Sequence, residues 1–377
     1  MSSSLPIDPP SARSLTGVVP QLIGSLDGAA DWFPAARSAI VIVADGLGRA
    51  NLTARSGYAR FLTDRMTKKD AARTVFPSTT AAALTSLLTA TPPGVHGIVG
   101  YRIRIPGTRL APNQLGGWET DGLDPLTWQR SEPIFAAEAS AGRPCFVVSR
   151  PQYAATGFTE ATTRGAAFVG AETVAERLAV AQALATQHDG ALVYVYIPEL
   201  DVIGHAVGSE SDAWAHELES IDAVLRRWDA GLPRDVGAVL TADHGMVDVS
   251  PARHLLLGSD DPLLDEVEIV GGEPRMLHLY TAEGAGERVA DRWRAAESSR
   301  AWVLTRAEAI AAGLLGPVAD AVEARIGDVL VAARAAVAYY DDRTSDKKAQ
   351  RMIGQHGSLT EHERIVPLIR LGAFART

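Results

Sequence analysis

Three aspartates and three histidines in this 377-residue chain have the residue types and spacing of metal ligands. They are Asp45, Asp201, His205, Asp243, His244 and His356. Asp201 and His205 are four residues apart, which places both side chains on one face of a helical turn. Asp243 and His244 are adjacent and precede Gly245, where the chain can bend so that both face shared cations. Carboxylate oxygens combined with imidazole nitrogens favour Zn²⁺ or Mn²⁺ over Ca²⁺ or Cu⁺.

A threonine-rich segment before a predicted helix supplies a candidate nucleophile. Thr79 and Thr80 precede the apolar stretch 81–89, so one of them lies at the helix N-terminus. Free backbone N–H groups and the helix dipole favour an anion there, such as a phosphate or an alkoxide. A threonine hydroxyl is a weak nucleophile until a cation or a base lowers its pKa. Beside metal ions, such a threonine could attack phosphorus.

The aspartates are positioned by three apolar, β-branched segments that each end in an acid. The segments are 38–45, 191–201 and 236–243, and Asp45, Asp201 and Asp243 close them. Near-continuous apolar runs of this length are typical of strands covered on both faces in a parallel sheet. Ligands of such sheets bind just outside the carboxyl ends of the strands, which is where the three acids would lie.

Helical patterns alternate with these strands and predict the fold class. Apolar residues recur with a helical period from about 172 to 186 and from about 212 to 228. Alternating strands and helices predict an α/β fold with a doubly wound, mostly parallel sheet flanked by helices.

Residues 247–322 differ from this pattern and predict a small α+β cap inserted into the core. They are turn-rich and polar, with a strand candidate at 276–280 and a helix at 286–296. The apolar strand at 328–332 is interpreted as the return of the chain to the core. The catalytic core is therefore expected at 1–246 and 323–377.

In their order along the chain, these motifs resemble the alkaline phosphatase superfamily. The motifs are Asp45-Gly46, the helix from Thr80 to Thr89 followed by Pro93 and His96-Gly97, Asp201 to His205, Asp243 to Met246, and Gly354 to Gly357. They are most similar to the branch of type I phosphodiesterases and nucleotide pyrophosphatases, across roughly 39–367. Segments 76–80, 96–101 and 325–328 further resemble bacterial cyclic di-AMP hydrolases, manganese-dependent cytosolic enzymes once grouped with phosphonoacetate hydrolases.

The resemblance implies specific roles for the candidate ligands. One metal would be held by Asp201, His205 and His356. The other would be held by Asp45, Asp243, His244 and the Thr80 hydroxyl. Thr80 is selected over Thr79 because the family nucleophile lies nine residues before the threonine that aligns with Thr89. The implied reaction forms a nucleotidyl-threonine and hydrolyses it, with cyclic di-AMP, cleaved through the linear dinucleotide to AMP, as the first choice of substrate.

The substrate contacts are less determined than the ligands. Tyr101 stands where nucleotide pyrophosphatases carry an asparagine that holds a phosphate oxygen, so it is a candidate substrate contact. It could donate through its hydroxyl or stack on a base. Tyr101, Arg102, Trp118, Trp128 and Tyr153 could together form an adenine pocket, but they are interpreted mainly as core or rim residues. His96 is expected to fix a loop near the site.

Each residue also has an ordinary structural interpretation. Asp45 alone would be explained as a turn residue, and Thr80 alone as a helix N-cap. His205 and His356 alone would be polar loop residues. The order in which all of them occur favours the metal centre over these readings.

Composition limits the classes of partner. The net charge is −9, without a basic block, which disfavours binding to nucleic acid polymers because that binding neutralises many phosphates. The one cysteine, Cys145, excludes an intramolecular disulfide and a thiolate metal cage, and its setting predicts the start of a buried strand. We expect a small-molecule nucleotide partner and a monomer or homodimer.

The N-terminal segment and the hydropathy pattern predict a cytoplasmic protein without a membrane partner. Residues 1–20 are rich in Ser and Pro, lack the pattern of a signal peptide, and are expected to form a loosely held arm. No apolar run approaches the length that spans a bilayer.

Four other functions remain open. A broad nucleotide pyrophosphatase or phosphodiesterase is the second choice. A phosphonoacetate hydrolase is the third, since the same metal core can cleave a carbon–phosphorus bond. A nucleotide receptor with a decayed site is a non-enzymatic alternative, which filled ligand positions argue against. A metal-dependent mutase would transfer the phosphoryl group without net hydrolysis.

Overall fold

The computed structural model describes residues 5–9, 11–29 and 31–376. Its strands are β1 (Ser38–Ala44), β2 (Ala71–Arg73), β3 (Cys145–Ser149), β4 (Ala167–Gly170), β5 (Leu192–Ile197), β6 (Val236–Thr241), β7 (Val247–Asp248), β8 (His254–Leu257), β9 (Val267–Glu273), β10 (Met276–Thr281), β11 (Ala301–Thr305), β12 (Val329–Ala333), β13 (Ala338–Asp341), β14 (Gly354–Gln355), β15 (Ile365–Pro367) and β16 (Ile369–Gly372).

The α-helices are α1 (Val18–Leu26), α2 (Arg49–Ala54), α3 (Arg60–Asp64), α4 (Thr80–Thr89), α5 (Pro93–His96), α6 (Trp118–Asp121), α7 (Ile134–Ser140), α8 (Gly157–Thr163), α9 (Val174–Gln187), α10 (Glu199–Val207), α11 (Asp212–Ala230), α12 (Gly286–Glu297), α13 (Arg306–Ala311), α14 (Asp320–Glu323) and α15 (Glu361–Arg364). Short 3₁₀ helices lie at Leu15–Gly17, Pro151–Tyr153, Pro251–Arg253, Pro262–Leu264 and Lys348–Arg351.

The largest sheet has the strand order β16-β6-β1-β5-β3-β4. Its neighbouring strands are parallel, except that β16 runs antiparallel to β6. Every residue of β1, in the middle of the sheet, is buried, as its unbroken apolar run requires. The doubly wound, mostly parallel α/β fold is therefore confirmed, and the strands that carry Asp45, Asp201 and Asp243 are adjacent.

The helices predicted from periodicity form close to their expected bounds. Helix α9 begins after Thr173, whose hydroxyl accepts from the Glu176 N–H while the Glu176 carboxylate accepts from the Thr173 N–H. This reciprocal cap satisfies two N–H groups that the helix itself leaves unpaired. Helix α11 begins after Ser211, whose hydroxyl accepts from the Trp214 N–H. Local sequence thus fixes where these two helices begin.

A second, antiparallel sheet has the order β11-β12-β10-β9. Helix α12 covers it through Val289 and Trp293, which belong to a hydrophobic cluster separate from the main core. Strand β12, which contains most of the segment expected to return to the catalytic core, instead pairs with β10 and β11 in this sheet. An apolar run predicts that a strand is buried, but it does not predict which strands pair with it. The chain rejoins the large sheet only at β16.

A buried ion pair joins the second sheet to the loop that carries His356. Arg275 lies between β9 and β10, and its guanidinium donates to both carboxylate oxygens of Glu363 at 2.8 and 2.9 Å. Glu363 also accepts from the Ser358 N–H, which is two residues from His356. Both charged groups are buried, so removing either one would leave the other buried without a partner, which is strongly destabilising. The pair therefore holds the His356 loop against the second sheet.

The N-terminal segment differs from the loosely held arm that its composition predicted. Leu15 and Val18 are fully buried, and Asp8 forms ion pairs with Arg73 and Arg364. Residues 1–4 and 10 lie outside the described residues. Within 5–9 and 11–20 the prediction is wrong, because apolar residues scattered among Ser and Pro pack onto the core.

None of the helices in the described part of the chain combines the length and hydropathy needed to cross a membrane.

Candidate metal centre

The three aspartates meet at the carboxyl edge of the large sheet. Asp45 directly follows β1, Asp243 follows β6 by two residues, and Asp201 lies in the first turn of α10, just after β5. Gly46 makes this approach possible. It has a φ of +72°, and a Cβ at that position would lie 3.3 Å from the Cα of Asp201.

Helix α4 brings Thr80 to the same place. Thr79 is the N-cap residue and makes no side-chain capping bond, while Thr80 is the first helical residue. The Thr80 hydroxyl lies 3.0 Å from Nε2 of His244. All ten residues of α4 are buried, so the positive end of its dipole acts in a region that excludes water.

Three histidines present ring nitrogens to the aspartates. In each ring, Nδ1 donates to a backbone carbonyl: His205 to Gly354 at 2.8 Å, His244 to Gly245 at 3.1 Å and His356 to Ser78 at 3.0 Å. A carbonyl oxygen can only accept, so Nδ1 carries the proton and the lone pair of the neutral ring is at Nε2. Backbone contacts of this kind fix the orientation of metal-binding histidines.

Each aspartate has a buried carboxylate oxygen without a hydrogen-bond donor among the described residues. These oxygens are Oδ1 of Asp45, Oδ1 of Asp201 and Oδ2 of Asp243. Asp243 uses its other oxygen to accept from the Gly46 and His244 N–H groups at 3.2 and 3.0 Å. Buried carboxylate oxygens without a partner are costly unless a cation binds them. The donor set therefore fits divalent cations.

The ligand atoms form two groups that share His244. One contains Asp45, Asp243 and His244, and the other contains Asp201, His244 and His356, with ligand atoms within 4.8 Å of one another in each. The first agrees with the set that the resemblance implied, and Thr80 is adjacent to it. In the second, His244 stands where His205 was expected. Nε2 of His205 is nevertheless 3.3 Å from Oδ1 of Asp201, so all seven predicted residues are brought together.

Burial and neighbouring charges raise the pKa values of two aspartates, which a bound cation would oppose, and lower that of His356, which a bound cation would favour. Burial, followed by the charges of Asp243 and Asp201, raises the pKa of Asp45 well above its usual range. Burial also raises the pKa of Asp201, against the opposing effect of His205. Burial and the neighbouring histidines lower the pKa of His356, which keeps its ring neutral and able to bind a cation.

Two side chains beside the ligands were not identified from the sequence. Tyr196 donates from its hydroxyl to Oδ2 of Asp45. Its alternation with Tyr194 on β5 was a signal that both lie on one face of the strand. Oε2 of Glu273 lies 3.9 Å from Nδ1 of His356, and burial raises the pKa of Glu273 to about 8. Glu273 comes from the second sheet, and no local pattern marked it.

Replacing Tyr196 by phenylalanine should weaken metal binding. The hydroxyl fixes one oxygen of Asp45 and leaves the other facing His244 at 3.4 Å, so its loss frees the carboxylate to rotate. We expect an affinity loss of about 10-fold or more, typical of contacts behind a ligand. Calorimetric titration with Mn²⁺ measures it. Tyr194→Phe, on the same strand, is the matched control, and equal affinities in Tyr196→Phe and wild type would contradict this role.

The residues predicted to contact the substrate do not form one pocket in the structure. The Tyr101 hydroxyl accepts from Nδ2 of Asn113 at 2.8 Å, so an asparagine does lie beside it, from a different part of the chain. Trp118 is buried in the core, and Trp128 packs against the Arg325 guanidinium at 3.7 Å. Of the five residues considered for an adenine pocket, Tyr153 alone lines the cavity beside Thr80.

His96 and Cys145 have structural positions, as the sequence indicated. Nε2 of His96 lies 2.8 Å from the Ser86 hydroxyl, and its Nδ1 accepts from the Ile98 N–H, which fixes the loop after α5. Cys145 begins β3, and burial raises the pKa of its thiol to about 11. The thiol therefore stays protonated and packs as an apolar group.

Comparison with solved structures shows the same fold in two kinds of enzyme. Murine ectonucleotide pyrophosphatase / phosphodiesterase 5 is 18% identical, with 88% of this chain and 87% of that chain covered and a TM-score of 0.68. An inactive threonine-to-alanine variant of the murine protein, in complex with AMP, is 17% identical, covers 89% and 88%, and has a TM-score of 0.67. Phosphonoacetate hydrolase from Sinorhizobium meliloti, in complex with phosphonoformate, is 20% identical, covers 90% and 91%, and has a TM-score of 0.65.

The sequence itself matches a family across most of its length. Residues 39–359 match the type I phosphodiesterase / nucleotide pyrophosphatase family, and this span contains all seven residues of the centre. The family match agrees with the order of the motifs and with the alkaline-phosphatase-like sheet. This chain belongs to the type I phosphodiesterase / nucleotide pyrophosphatase family of the alkaline phosphatase superfamily and is a hydrolase of phosphoesters.

Proposed function

We propose that this protein cleaves a nucleotide phosphodiester by a two-metal mechanism in which Thr80 is the nucleophile. The observation that supports this most strongly is the position of the Thr80 hydroxyl. It is the first side chain of a buried helix and lies 3.0 Å from Nε2 of His244, beside three carboxylates. A nucleophile, an anion-favouring helix terminus and a divalent-cation donor set are thus combined in one place.

Asp45, Asp243 and His244 would hold one cation, with the Thr80 hydroxyl beside it. Asp201, His205 and His356 would hold the other, with His244 between the two sets. Bound cations would acidify the attacking hydroxyl and neutralise charge that develops on the phosphoryl oxygens. We favour Mn²⁺ or Zn²⁺ because the donor set mixes carboxylates with imidazoles.

The chain's own groups define the two chemical steps. Oγ1 of Thr80 loses its proton and forms a bond to phosphorus as the ester P–O bond breaks, and the leaving oxygen takes up a proton and departs as the alcohol. A nucleotidyl-threonine results. Water then attacks phosphorus, the bond from Oγ1 to phosphorus breaks, and a nucleoside monophosphate is released. The N-terminus of α4 favours the negative charge in both steps.

Cyclic di-AMP is our proposed substrate, hydrolysed through the linear dinucleotide to AMP. The support is the resemblance of segments 76–80, 96–101 and 325–328 to hydrolases of this compound, together with AMP as the ligand of a murine protein of the same fold. We place the enzyme in the cytoplasm, as a monomer or homodimer acting on a small nucleotide. Tyr101 is proposed as a substrate contact, with Asn113 orienting its hydroxyl.

The test is hydrolysis of cyclic di-AMP by protein treated with a chelator, with Mn²⁺, Zn²⁺ or Mg²⁺ added back and the nucleotides separated by chromatography. We expect the linear dinucleotide and AMP to form only when a cation is supplied. Cleavage of a nucleoside triphosphate in preference to cyclic di-AMP would favour a broad nucleotide pyrophosphatase. Release of phosphate from phosphonoacetate, with no dinucleotide cleaved, would favour the hydrolase of the carbon–phosphorus bond.

A further inference from the structure

A slot of about 210 Å³ opens beside Thr80 and runs into the protein between α4, α8 and the large sheet. One wall is the face of α4 formed by Thr80, Leu84 and Leu88. These positions are eight residues apart from first to last, so the wall is about 12 Å long. Val147 and Ser149 of β3 also line the slot. The slot therefore begins at the candidate metal centre and ends in the apolar interior.

The walls exclude charged groups. Asp45 and Asp201, at the mouth, are the charged residues among those described that line the slot. A second phosphate inside the slot would find no cationic side chain to balance its charge, so it would stay outside. An engineered apolar cavity of about 150 Å³ accepts benzene, which indicates that this slot has room for a larger, uncharged ring system.

The hydroxyl groups of α8 that face the slot are already satisfied. Thr162 and Thr163 donate to the carbonyls of Phe158 and Thr159 at 2.8 and 2.7 Å. Thr156 donates to the Thr159 hydroxyl at 2.9 Å. These threonines therefore contribute their methyl groups to the slot more than hydrogen bonds.

Ser149, on β3, differs from these threonines. Its side chain is 3% exposed, it lines the slot, and its Oγ has no hydrogen-bond partner among the described residues. A buried hydroxyl without a partner is costly, and an alkyl chain in the slot would leave it so. A heteroaromatic ring would provide an acceptor or donor, and the aromatic side chains of Tyr153, Phe158 and Phe168 would pack against it.

We propose that Ser149 is a specificity-determining residue, whose hydroxyl forms a hydrogen bond to an uncharged heteroaromatic ring of the substrate held in this slot. Within the proposed function, on which this inference rests, the ring is the nucleobase attached to the phosphate that Thr80 attacks. The second nucleotide of a cyclic dinucleotide lies outside the slot. Ser149 thus recognises the ring by a hydrogen bond, while the apolar walls exclude charged groups.

The experiment measures binding of three phosphate monoesters to the Mn²⁺-loaded protein by calorimetry. AMP carries a base, ribose 5-phosphate is the matched ligand without one, and n-octyl phosphate carries an alkyl chain. We expect AMP to bind at least about tenfold more tightly than ribose 5-phosphate, because the slot removes the ring from water. Equal affinities, no detectable AMP binding, or tighter binding of n-octyl phosphate would each overturn the proposal.

Two variants and one matched control test whether the preference for AMP arises in the slot. Ser149→Ala should weaken AMP binding about fivefold, the value of one hydrogen bond, and leave ribose 5-phosphate binding unchanged. Its melting temperature should not fall, because no bond within the protein is lost. Thr159→Phe should fill the slot and remove the preference for AMP, whereas Glu160→Phe, at the exposed neighbouring position, should keep it. Unchanged AMP affinity in Ser149→Ala, or a lower melting temperature, would contradict the role of the hydroxyl.

A separate assay tests the proposed phosphodiesterase function independently of the slot. Wild-type protein should cleave methyl p-nitrophenyl phosphate, a diester with no base for the slot, when Mn²⁺ is present. Failure of that reaction with every cation, while AMP still binds through its base, would reject the phosphodiesterase and keep the slot. Cleavage of the small diester without a preference for AMP would reject the slot and keep the phosphodiesterase.

Discussion

Thr80→Ala should abolish phosphodiester turnover while the fold and metal binding remain. The substitution removes the attacking oxygen, so we expect a loss on the order of 10⁴-fold or more. Alanine is a good helix former at the first position of α4. The lost hydrogen bond to His244 is worth about 1 kcal/mol, which the fold should tolerate. Steady-state hydrolysis, calorimetric Mn²⁺ titration and thermal unfolding measure the three quantities.

Thr79→Ala is the matched control for this variant. Thr79 is the adjacent residue, equally buried, and its hydroxyl lies beside the Glu273 carboxylate. The Thr79→Ala protein should retain activity within about tenfold of wild type, since its hydroxyl contacts none of the seven residues of the centre. A Thr80→Ala protein that still turns over substrate would contradict the assignment of Thr80 as the nucleophile. A Thr79→Ala protein that is folded but inactive would also contradict it.

The covalent intermediate gives a second readout for the same residue. Wild-type protein quenched in acid during turnover should contain a peptide bearing one nucleotidyl group on Thr80, detected by mass spectrometry. The Thr80→Ala peptide should lack it. Turnover by wild type with no modified peptide at any quench time would instead indicate direct attack by water.

Asp243→Asn should have opposite effects on stability with and without metal. Asparagine can keep the two hydrogen bonds that Oδ1 accepts from Gly46 and His244. It removes one negative charge from three neighbouring carboxylates, where the charge of Asp243 already helps to raise the pKa of Asp45. Chelator-treated Asp243→Asn protein should therefore be more stable than chelator-treated wild type, by about 1 kcal/mol or more.

With cations present, the order should reverse. An amide is a poor replacement for an anionic ligand, so Mn²⁺ affinity should fall at least about 100-fold, and turnover should fall with it. Wild type gains stability from bound metal by mass action, which the variant lacks. Urea unfolding with chelator and with Mn²⁺ measures both differences.

Asp222→Asn is the control for this pair of measurements. Asp222 is also a buried carboxylate, but it accepts from the Phe61 and Leu62 N–H groups, away from the centre. Its substitution should change stability by the same amount with and without Mn²⁺. An Asp243→Asn protein that behaves in this way, without a change of sign, would show that Asp243 does not belong to a metal centre.

Local sequence determined the elements that carry the chemistry. An apolar run can only be buried, so the strands before Asp45, Asp201 and Asp243 were recognisable one at a time. Polar caps fixed the beginnings of helices such as α9, and the spacing of Asp201 and His205 predicted their common helical face. The order of the motifs then supplied the superfamily, because that order is a property of the chain alone.

Tertiary structure decided the contacts between residues far apart in the sequence. The pairing of β12 with β10 and β11, the approach of His244 to His356, and the contact of Tyr196 with Asp45 depend on how elements pack. The slot that Ser149 lines is likewise formed by α4, α8 and the sheet together. The physical reason is that burial and helical or strand period are local properties of a sequence. The partner of a buried polar group is set by packing between distant segments, which no local pattern encodes.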